Sequence, residues 1–273
     1  MTRRVLLFAV AAVLAVAVII GIVVLRPPEQ ASAPIEAIPL AVATSAATAA
    51  PVPTNAPATE VATSAPIERA TSAPAEAATS APAAKTATAA PAETSSLLFE
   101  IVPAESQTRF KIDEVLRGAD VEVVGVTDQV AGQISIDPTD PSKSQVGVIQ
   151  INARTLVTDN DFRNRAIKNV ILRTNEFEFV TFTPTKISGL PETGAVGQSY
   201  TFQMTGDLTV ADVTKPVTFD VTLTPISETR IEGKANAAIL HRDFNLSIPD
   251  SPAVDTVADE VRLELDFVAV PVG

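Results

Sequence analysis

The sequence predicts an all-β domain of antiparallel strands, arranged as a barrel or a sandwich and interrupted by one α-helix. Apolar and polar side chains alternate without a break over residues 217–223, which is typical of a strand with one buried face. Residues 208–210 alternate in the same way, and Ala211 and Asp212 stand where a tight hairpin would turn. About ten such strand patterns follow one another over residues 97–273, with turn residues between them and no βαβ spacing.

The strand patterns are short, and most have one apolar and one polar face. For the strand predicted at 177–182, the sequence does not decide which face is buried: either Phe177 and Phe179 or Val180 and Phe182 point inward. The predicted strands are 98–102, 108–112, 121–126, 130–136, 146–151, 177–182, 200–210, 216–224, 230–240 and 261–270.

One helix is predicted between the strand patterns. It begins after Thr158 or Asp159, either of which can accept hydrogen bonds from the first turn, and it ends near Arg173. Apolar residues recur on one face at helical spacing, and basic residues occupy the other face. The apolar positions are Phe162, Ala166, Ile167, Val170 and Ile171, and the basic positions are Arg163, Arg165 and Lys168.

The composition excludes several classes of function. The chain has no cysteine, which rules out disulfides, thiol catalysis and cysteine-ligated metals. Its only histidine is His241, so we expect no metal site, no catalytic triad and no cofactor. The net charge of −12 opposes binding to nucleic acid, which needs a basic surface.

The N-terminal 25 residues are predicted to anchor the chain in a membrane. Residues 5–25 carry no charge, and at about 1.5 Å per residue such a helix crosses a hydrocarbon core of roughly 30 Å. Because Arg3 and Arg4 precede this run, we expect residues 1–25 to be a transmembrane signal anchor with a cytoplasmic N-terminus. A cleaved signal peptide is the alternative, since residues 31–33 (Ala-Ser-Ala) resemble a cleavage site.

Residues 26–96 are predicted to form a disordered linker between this anchor and the domain at 97–273. Alanine, proline, threonine and serine dominate the linker, and the sequence ATSAP recurs at 62–66, 70–74 and 78–82. The repeat has no large apolar face to bury, so we expect an extended stalk that holds the domain away from the bilayer.

Several motifs in the domain carry a family resemblance. Residues 206–217 read GDLTVADVTKPV, similar to the pattern G-D-L-T-x-x-G-V-T-K-P-V. The other matching segments are VGV at 124–126, VAGQISID at 130–137, INARTL at 151–156, DFRN at 161–164, FEFVTF at 177–182 and RDF at 242–244. In this order and spacing, from about Phe99 to Val268, the domain resembles the YceI-like family.

The resemblance implies a lipocalin-like antiparallel β-barrel of about eight strands around a hydrophobic tunnel. It also implies an exported, lipid-binding protein whose tunnel holds a polyisoprenoid or another long apolar ligand. The alternating strands agree with this expectation, since a barrel of about eight strands can enclose one apolar ligand. The sequence departs from the pattern at Asp212 and Asn245, both of which stand where the family usually has glycine.

Alternation predicts which side chains line the tunnel. A shift of one residue in any strand would turn its whole set to the other face. The predicted ligand-binding residues are Phe110, Val148, Phe162, Ile167, Ile171, Phe179, Phe202, Leu208, Phe219 and Phe267. Arg163, Arg165 and Lys168 are candidate contacts for a ligand headgroup, and the alternative is a solvated outer helix face.

Two functions remain open at this point. The first is non-catalytic binding of a long apolar ligand by a membrane-tethered, extracytoplasmic barrel. The second is a structural or interaction module whose barrel core is filled with side chains. An enzyme is not expected, because no nucleophile, acid–base pair or phosphate loop appears in the motifs.

Overall fold

The structure is a computed structural model that describes residues 26–40 and 96–272 of the chain. The predicted membrane anchor at 1–25 and most of the predicted linker, residues 41–95, lie outside the described residues. Within the described ranges, no helix is long and apolar enough to cross a membrane.

Twelve strands and one helix make up the described part of the domain. The strands are β1 Leu97–Ile101, β2 Gln107–Leu116, β3 Ala119–Thr127, β4 Val130–Ala131, β5 Gln133–Ile136, β6 Gln145–Val146, β7 Ile149–Asn152, β8 Phe179–Ser188, β9 Tyr200–Val210, β10 Val213–Ser227, β11 Arg230–Leu240 and β12 Val254–Pro271. The helix, α1, spans Asp161–Ala166 and continues as a π-helical turn at Ile167–Ile171. Short 3-10 turns lie at Pro103–Glu105, Pro141–Lys143, Ala153–Thr155 and His241–Phe244.

All the strands belong to one curled antiparallel sheet. Its order is β4-β7-β8-β9-β10-β11-β12-β1-β5-β6. In addition, β2 pairs with the N-terminal part of β12, and β3 pairs with β2. Residues 130–136 connect the two ends, since β4 pairs with β7 and β5 pairs with β1. This confirms the predicted all-β class and the inserted helix. The strands outnumber those predicted partly because Gly132 separates β4 from β5, and Gly147 and Val148 separate β6 from β7.

The predicted hairpin is present between β9 and β10. Val210 pairs with Val213 across the two-residue turn at Ala211 and Asp212. Ala211, rather than Asp212, takes the left-handed backbone, with φ of 52°. Asn245 is also left-handed, with φ of 54°, which agrees with its place at a position usually held by glycine.

The start of α1 differs from the prediction. Its cap is Asn160, whose side-chain oxygen accepts hydrogen bonds from the backbone nitrogens of Phe162 at 2.9 Å and Arg163 at 3.1 Å. Thr158 instead bonds the side chain of Asn164, through its backbone nitrogen at 2.7 Å. Sequence alone could not separate these candidates, because Thr, Asp and Asn are all good caps.

Three glycines on the strands lie beneath phenylalanine rings. A Cβ added to Gly125 would lie 2.0 Å from a ring carbon of Phe110, its partner across the β2–β3 pair. On Gly233 it would lie 2.4 Å from the ring of its partner Phe267. On Gly206 it would meet the carbonyl oxygen of Thr183 at 2.4 Å and the ring of Phe182 at 2.6 Å. Each ring therefore occupies the space that a larger neighbour would fill.

Residues 26–40 lie against the domain, which differs from the disordered linker that we predicted to begin at residue 26. Asn169 donates a hydrogen bond to the carbonyl oxygen of Arg26 at 2.8 Å. The backbone nitrogen of Leu40 donates to the side chain of Gln133 at 2.8 Å, and Ile35 is buried. We refer to residues 26–40 as the N-terminal strap.

Candidate ligand-binding cavity

An apolar cavity of about 240 Å³ lies inside the curled sheet, next to α1. We call it the helix-side cavity. Ile167 and Ile171 face it from α1, and Leu208, Met204 and Phe219 face it from β9 and β10. Its lining is almost wholly apolar, which is the usual character of a site for an apolar ligand.

Five of the ten predicted ligand-binding residues line this cavity. Alternation placed them correctly on their strands, and the 3.6-residue period placed the helical pair. They are Phe110, Ile167, Ile171, Leu208 and Phe219. The ring of Phe219 also packs edge-on against that of Phe182, with 4.8 Å between the ring centroids.

A second cavity, of about 280 Å³, accounts for one more predicted residue. Phe202 lines it, together with Phe99, Ile134, Ile231 and Leu223 from neighbouring strands. This second cavity has an apolar wall but also includes Asp137, Ser144 and Glu228. The interior predicted as one tunnel therefore contains two cavities with no lining residue in common.

Two predicted residues lie outside both cavities because their strand phase is the opposite of the one we chose. Phe179 is 37% exposed, whereas Val180 and Phe182 line the helix-side cavity. Val148 lies in the short gap before β7, and its neighbour Ile149 lines the cavity instead. Both segments are apolar at successive positions, so alternation could not choose the phase.

Two further predicted residues lie elsewhere. Phe162 is 66% exposed on the outer face of α1, where the guanidinium of Arg165 lies 5.7 Å from its ring centre. Phe267 is buried but lines neither cavity, because its ring lies over Gly233. The exposure of Phe162 contradicts the prediction that its ring forms part of the tunnel wall, whereas Phe267 has the predicted inward phase but lines neither cavity.

The carboxylates and guanidiniums that line the helix-side cavity are paired, whereas the hydroxyl of Thr108 is buried there without a hydrogen-bond partner. Arg163 of α1 donates to Glu114 of β2 at 2.7 Å and forms an ion pair with Asp159 at 2.5 Å. His241 contacts the carbonyl oxygen of Leu246 through Nδ1 at 3.0 Å. The helix is thus tied to the sheet beside the cavity by a buried carboxylate–guanidinium pair.

The other predicted headgroup contacts do not reach the cavity wall. Arg165 lies beside the exposed ring of Phe162, and Lys168 is buried but lines neither cavity. Desolvation lowers the pKa of the Lys168 amino group below its usual value. In the part of the chain that the structure describes, no group of three histidine, aspartate or glutamate side chains could hold a metal ion.

The family-model comparison matches the domain as a whole. The model described as the YceI-like domain matches residues 99–269, which is more than half of the chain. The chain belongs to the YceI-like domain family. This confirms the resemblance drawn from the GDLTVADVTKPV segment and its companions.

Individual relatives are more distant. The UPF0312 protein YE1254 of Yersinia enterocolitica is 30% identical over 145 residues, covering 51% of this chain and 69% of that protein. A polyisoprenoid-binding domain from Saccharophagus degradans has a TM-score of 0.52 at 15% identity, covering 64% of this chain and 99% of that one. BcnA of Burkholderia cenocepacia has a TM-score of 0.51 at 20% identity, covering 62% of this chain and 99% of that one. At these identities the two structures show a shared fold.

Arg154, in the 3-10 turn at Ala153–Thr155, holds the N-terminal strap against the domain. The guanidinium of Arg154 donates to the carbonyl oxygen of Gln30 and to the hydroxyl of Ser32, both at 3.2 Å. It also forms ion pairs with Glu29 at 3.1 Å and with Glu178 at 3.0 Å. The same guanidinium donates to the carbonyl oxygens of Thr174 at 2.9 Å and Asn175 at 3.3 Å. Six polar contacts from one planar cation would therefore be lost together if this side chain were shortened.

The carboxylate of Glu178 bonds both the strap and Arg154, so its protonation state affects how firmly the strap is held. It accepts a hydrogen bond from the backbone nitrogen of Ser32 at 2.8 Å and one from Asn152 at 2.9 Å. Burial raises the pKa of this carboxyl, but the bonds from Ser32 and Asn152 and the charge of Arg154 lower it more, so the net shift is downward from 4.5.

We predict that the strap loosens as the carboxyl of Glu178 becomes protonated. Since its pKa is lower in the docked state, the stabilisation is complete above pH 4.5 and is lost as the pH falls through the docked value. The hydrogen-exchange protection factor of the Ser32 amide should then fall about tenfold.

Leu40 provides an internal control, because its amide bonds the uncharged side chain of Gln133. The variant Glu178→Gln should show low protection at Ser32 at neutral pH and no further fall in acid. Equal protection of Ser32 at neutral and acid pH in the unaltered chain would contradict this prediction.

Proposed function

We propose that this protein is a membrane-tethered, extracytoplasmic lipid-binding protein that holds a long apolar chain in the helix-side cavity, without catalysis. The observation that carries the proposal is the cavity itself, which occupies about 240 Å³ beneath α1 with an almost wholly apolar wall. An empty apolar cavity is costly in a protein interior, because its lining atoms lose contacts that a bound chain would restore.

The energy of binding comes from burial. Each methylene moved from water into an apolar site contributes about 0.8 kcal/mol, so a chain of a few isoprene units gains several kcal/mol before the entropy cost of binding. This supports a ligand that is recognised by its chain rather than by its headgroup.

The charges on the cavity wall favour a ligand with a neutral or weakly polar end. Arg109 is paired with Glu264 at 3.1 Å, and Arg163 is paired with Glu114. Both cationic side chains of the wall are therefore already neutralised, and a diphosphate would have to compete with a carboxylate for either of them. A free alcohol or a carbonyl needs no such exchange.

The shared fold supports the choice of ligand class. The Saccharophagus degradans domain, which is described as polyisoprenoid-binding, has the same fold over 99% of its length. We extend polyisoprenoid binding from that domain to this chain because the helix-side cavity offers the apolar wall that such a chain needs.

The N-terminal sequence supports tethering. Residues 5–25 form the uncharged run, and Arg26 directly after it contacts Asn169 in the π-helical turn of α1. If the run crosses a bilayer, the strap holds the helix end of the domain close to the membrane surface. The exposed ring of Phe162 lies on this same helix. In this arrangement an apolar ligand would have a short path between bilayer and cavity.

Filling the cavity tests the binding function. Ala235 lies on the interior of β11 and lines the helix-side cavity, so the ring in Ala235→Phe would occupy the ligand space. We expect the affinity for a prenyl alcohol to fall at least tenfold, measured by native mass spectrometry. The melting temperature should stay the same or rise, because the added ring fills a void.

Ala238 supplies the matched control on the same strand. It is exposed on the outer face of β11, so Ala238→Phe should leave both affinity and melting temperature nearly unchanged. If the core is instead filled, as the interaction-module alternative requires, Ala235→Phe would overpack it and destabilise the domain by about 1–3 kcal/mol. Such a loss, with no prenyl alcohol bound by the unaltered chain, would refute the binding function.

Membrane tethering has its own test. The full chain should remain with the membranes after an alkaline carbonate wash, and external protease should digest the domain in spheroplasts. The double substitution Val13→Arg and Val16→Arg places two charges in the uncharged run, each costing about 2.5–3.5 kcal/mol on insertion scales, and should release the protein. Release of the unaltered chain by carbonate would contradict tethering.

A further inference from the structure

On both β10 and β11, one interior residue separates the positions that line the two cavities. On β11, Ile231 lines the second cavity, Ala235 lines the helix-side cavity, and Gly233 between them lines neither. On β10, Leu223 lines the second cavity and Phe219 lines the helix-side cavity. Val221, between them, lines neither. Because Gly233 pairs with Leu223 and Val221 pairs with Ala235, the dividing layer between the cavities runs obliquely across these two strands.

The side chains in this layer are closely packed. Ile101, Val221 and Ala269 are buried there, and none of them lines either cavity. Phe267 is the largest member, and its side chain occupies the interior position between Leu265 of the helix-side cavity and Ala269. A ring at this position closes more of the cross-section than any aliphatic side chain would.

Gly233 fixes the ring of Phe267 at this level. The two residues are partners across the β11–β12 pair, and a Cβ on Gly233 would lie 2.4 Å from the end of the ring. Any residue other than glycine would push the ring from its place. The glycine and the phenylalanine thus work as a pair, the first providing the space that the second occupies.

We propose that Phe267 divides the interior into two chambers and so limits the length of the apolar chain that the helix-side cavity accepts. This inference rests on the proposed function for its ligand, but the division itself stands on the packing around Gly233. The boundary is thinnest on β9, where Met204 of one cavity and Phe202 of the other are successive interior positions. Loss of the Phe267 ring would open the dividing layer and join the two chambers.

The test measures the longest chain that the full-length protein binds. The probe is a series of all-trans prenyl alcohols that differ by one isoprene unit, offered to the purified chain in detergent and detected by native mass spectrometry. Phe267→Ala should extend the longest bound member by at least one isoprene unit. Phe267→Leu, a smaller change that keeps the layer packed, should give a smaller extension and guards against loss of folding.

Phe99→Ala is the control, since Phe99 is an equally buried ring that lines the second cavity outside the dividing layer. It should leave the longest bound member unchanged. An unchanged limit in both Phe267 variants, with folding verified by circular dichroism, would overturn the proposal.

A readout without a ligand separates this proposal from the proposed function. Xenon enters empty apolar cavities, so pressurised crystals of the unaltered chain should show xenon in two separate places, and those of Phe267→Ala in one continuous space. If no prenyl alcohol binds but xenon shows this change, the function fails and the division stands. One continuous xenon-filled space in the unaltered chain would overturn the division.

Discussion

The architecture depends on phenylalanine rings that lie over glycines of the neighbouring strand. Phe110 covers Gly125 and Phe267 covers Gly233, each across one strand pair. The position of such a ring along its strand decides its effect: Phe110 lines the helix-side cavity, whereas Phe267 lies in the layer between the two cavities. The cavities therefore follow from where the glycines stand, and a substitution at either glycine would displace a ring into the space that a ligand needs.

The sequence predicted the parts of the fold in which one face is apolar and the other polar. The β9–β10 hairpin turns at the predicted residues, Ala211 and Asp212, and its strand at 217–223 alternates Thr and Asp with Val, Phe and Leu without exception. The β8 segment has no such contrast, since Phe177, Phe179 and Val180 are all apolar. Its phase is decided by pairing, with Phe182 opposite Leu208 on β9, and pairing across strands is not visible in a single sequence.

The site shows a similar limit. Wall residues could be predicted one strand at a time, but the division of the interior could not, because it depends on how side chains from four strands pack against one another. Phe267 was expected in the tunnel wall for its size and phase, and both are correct. Its role changes because the partner residue is Gly233. The strap was missed for another reason: its Ala- and Pro-rich composition indicates disorder, while its docking depends on Arg154 and Glu178, far away in sequence.

The strap is bonded to the helix end of the domain directly after the uncharged N-terminal run. Next to that helix lies one chamber with an apolar wall suited to an apolar chain, and the dividing layer closes its far end. The most direct test of this account is a crystal structure of the full chain purified from its own cells without added lipid. The account predicts elongated electron density in the helix-side cavity, ending at the ring of Phe267. Side chains that fill this space, or ordered waters that occupy it, would contradict the central claim.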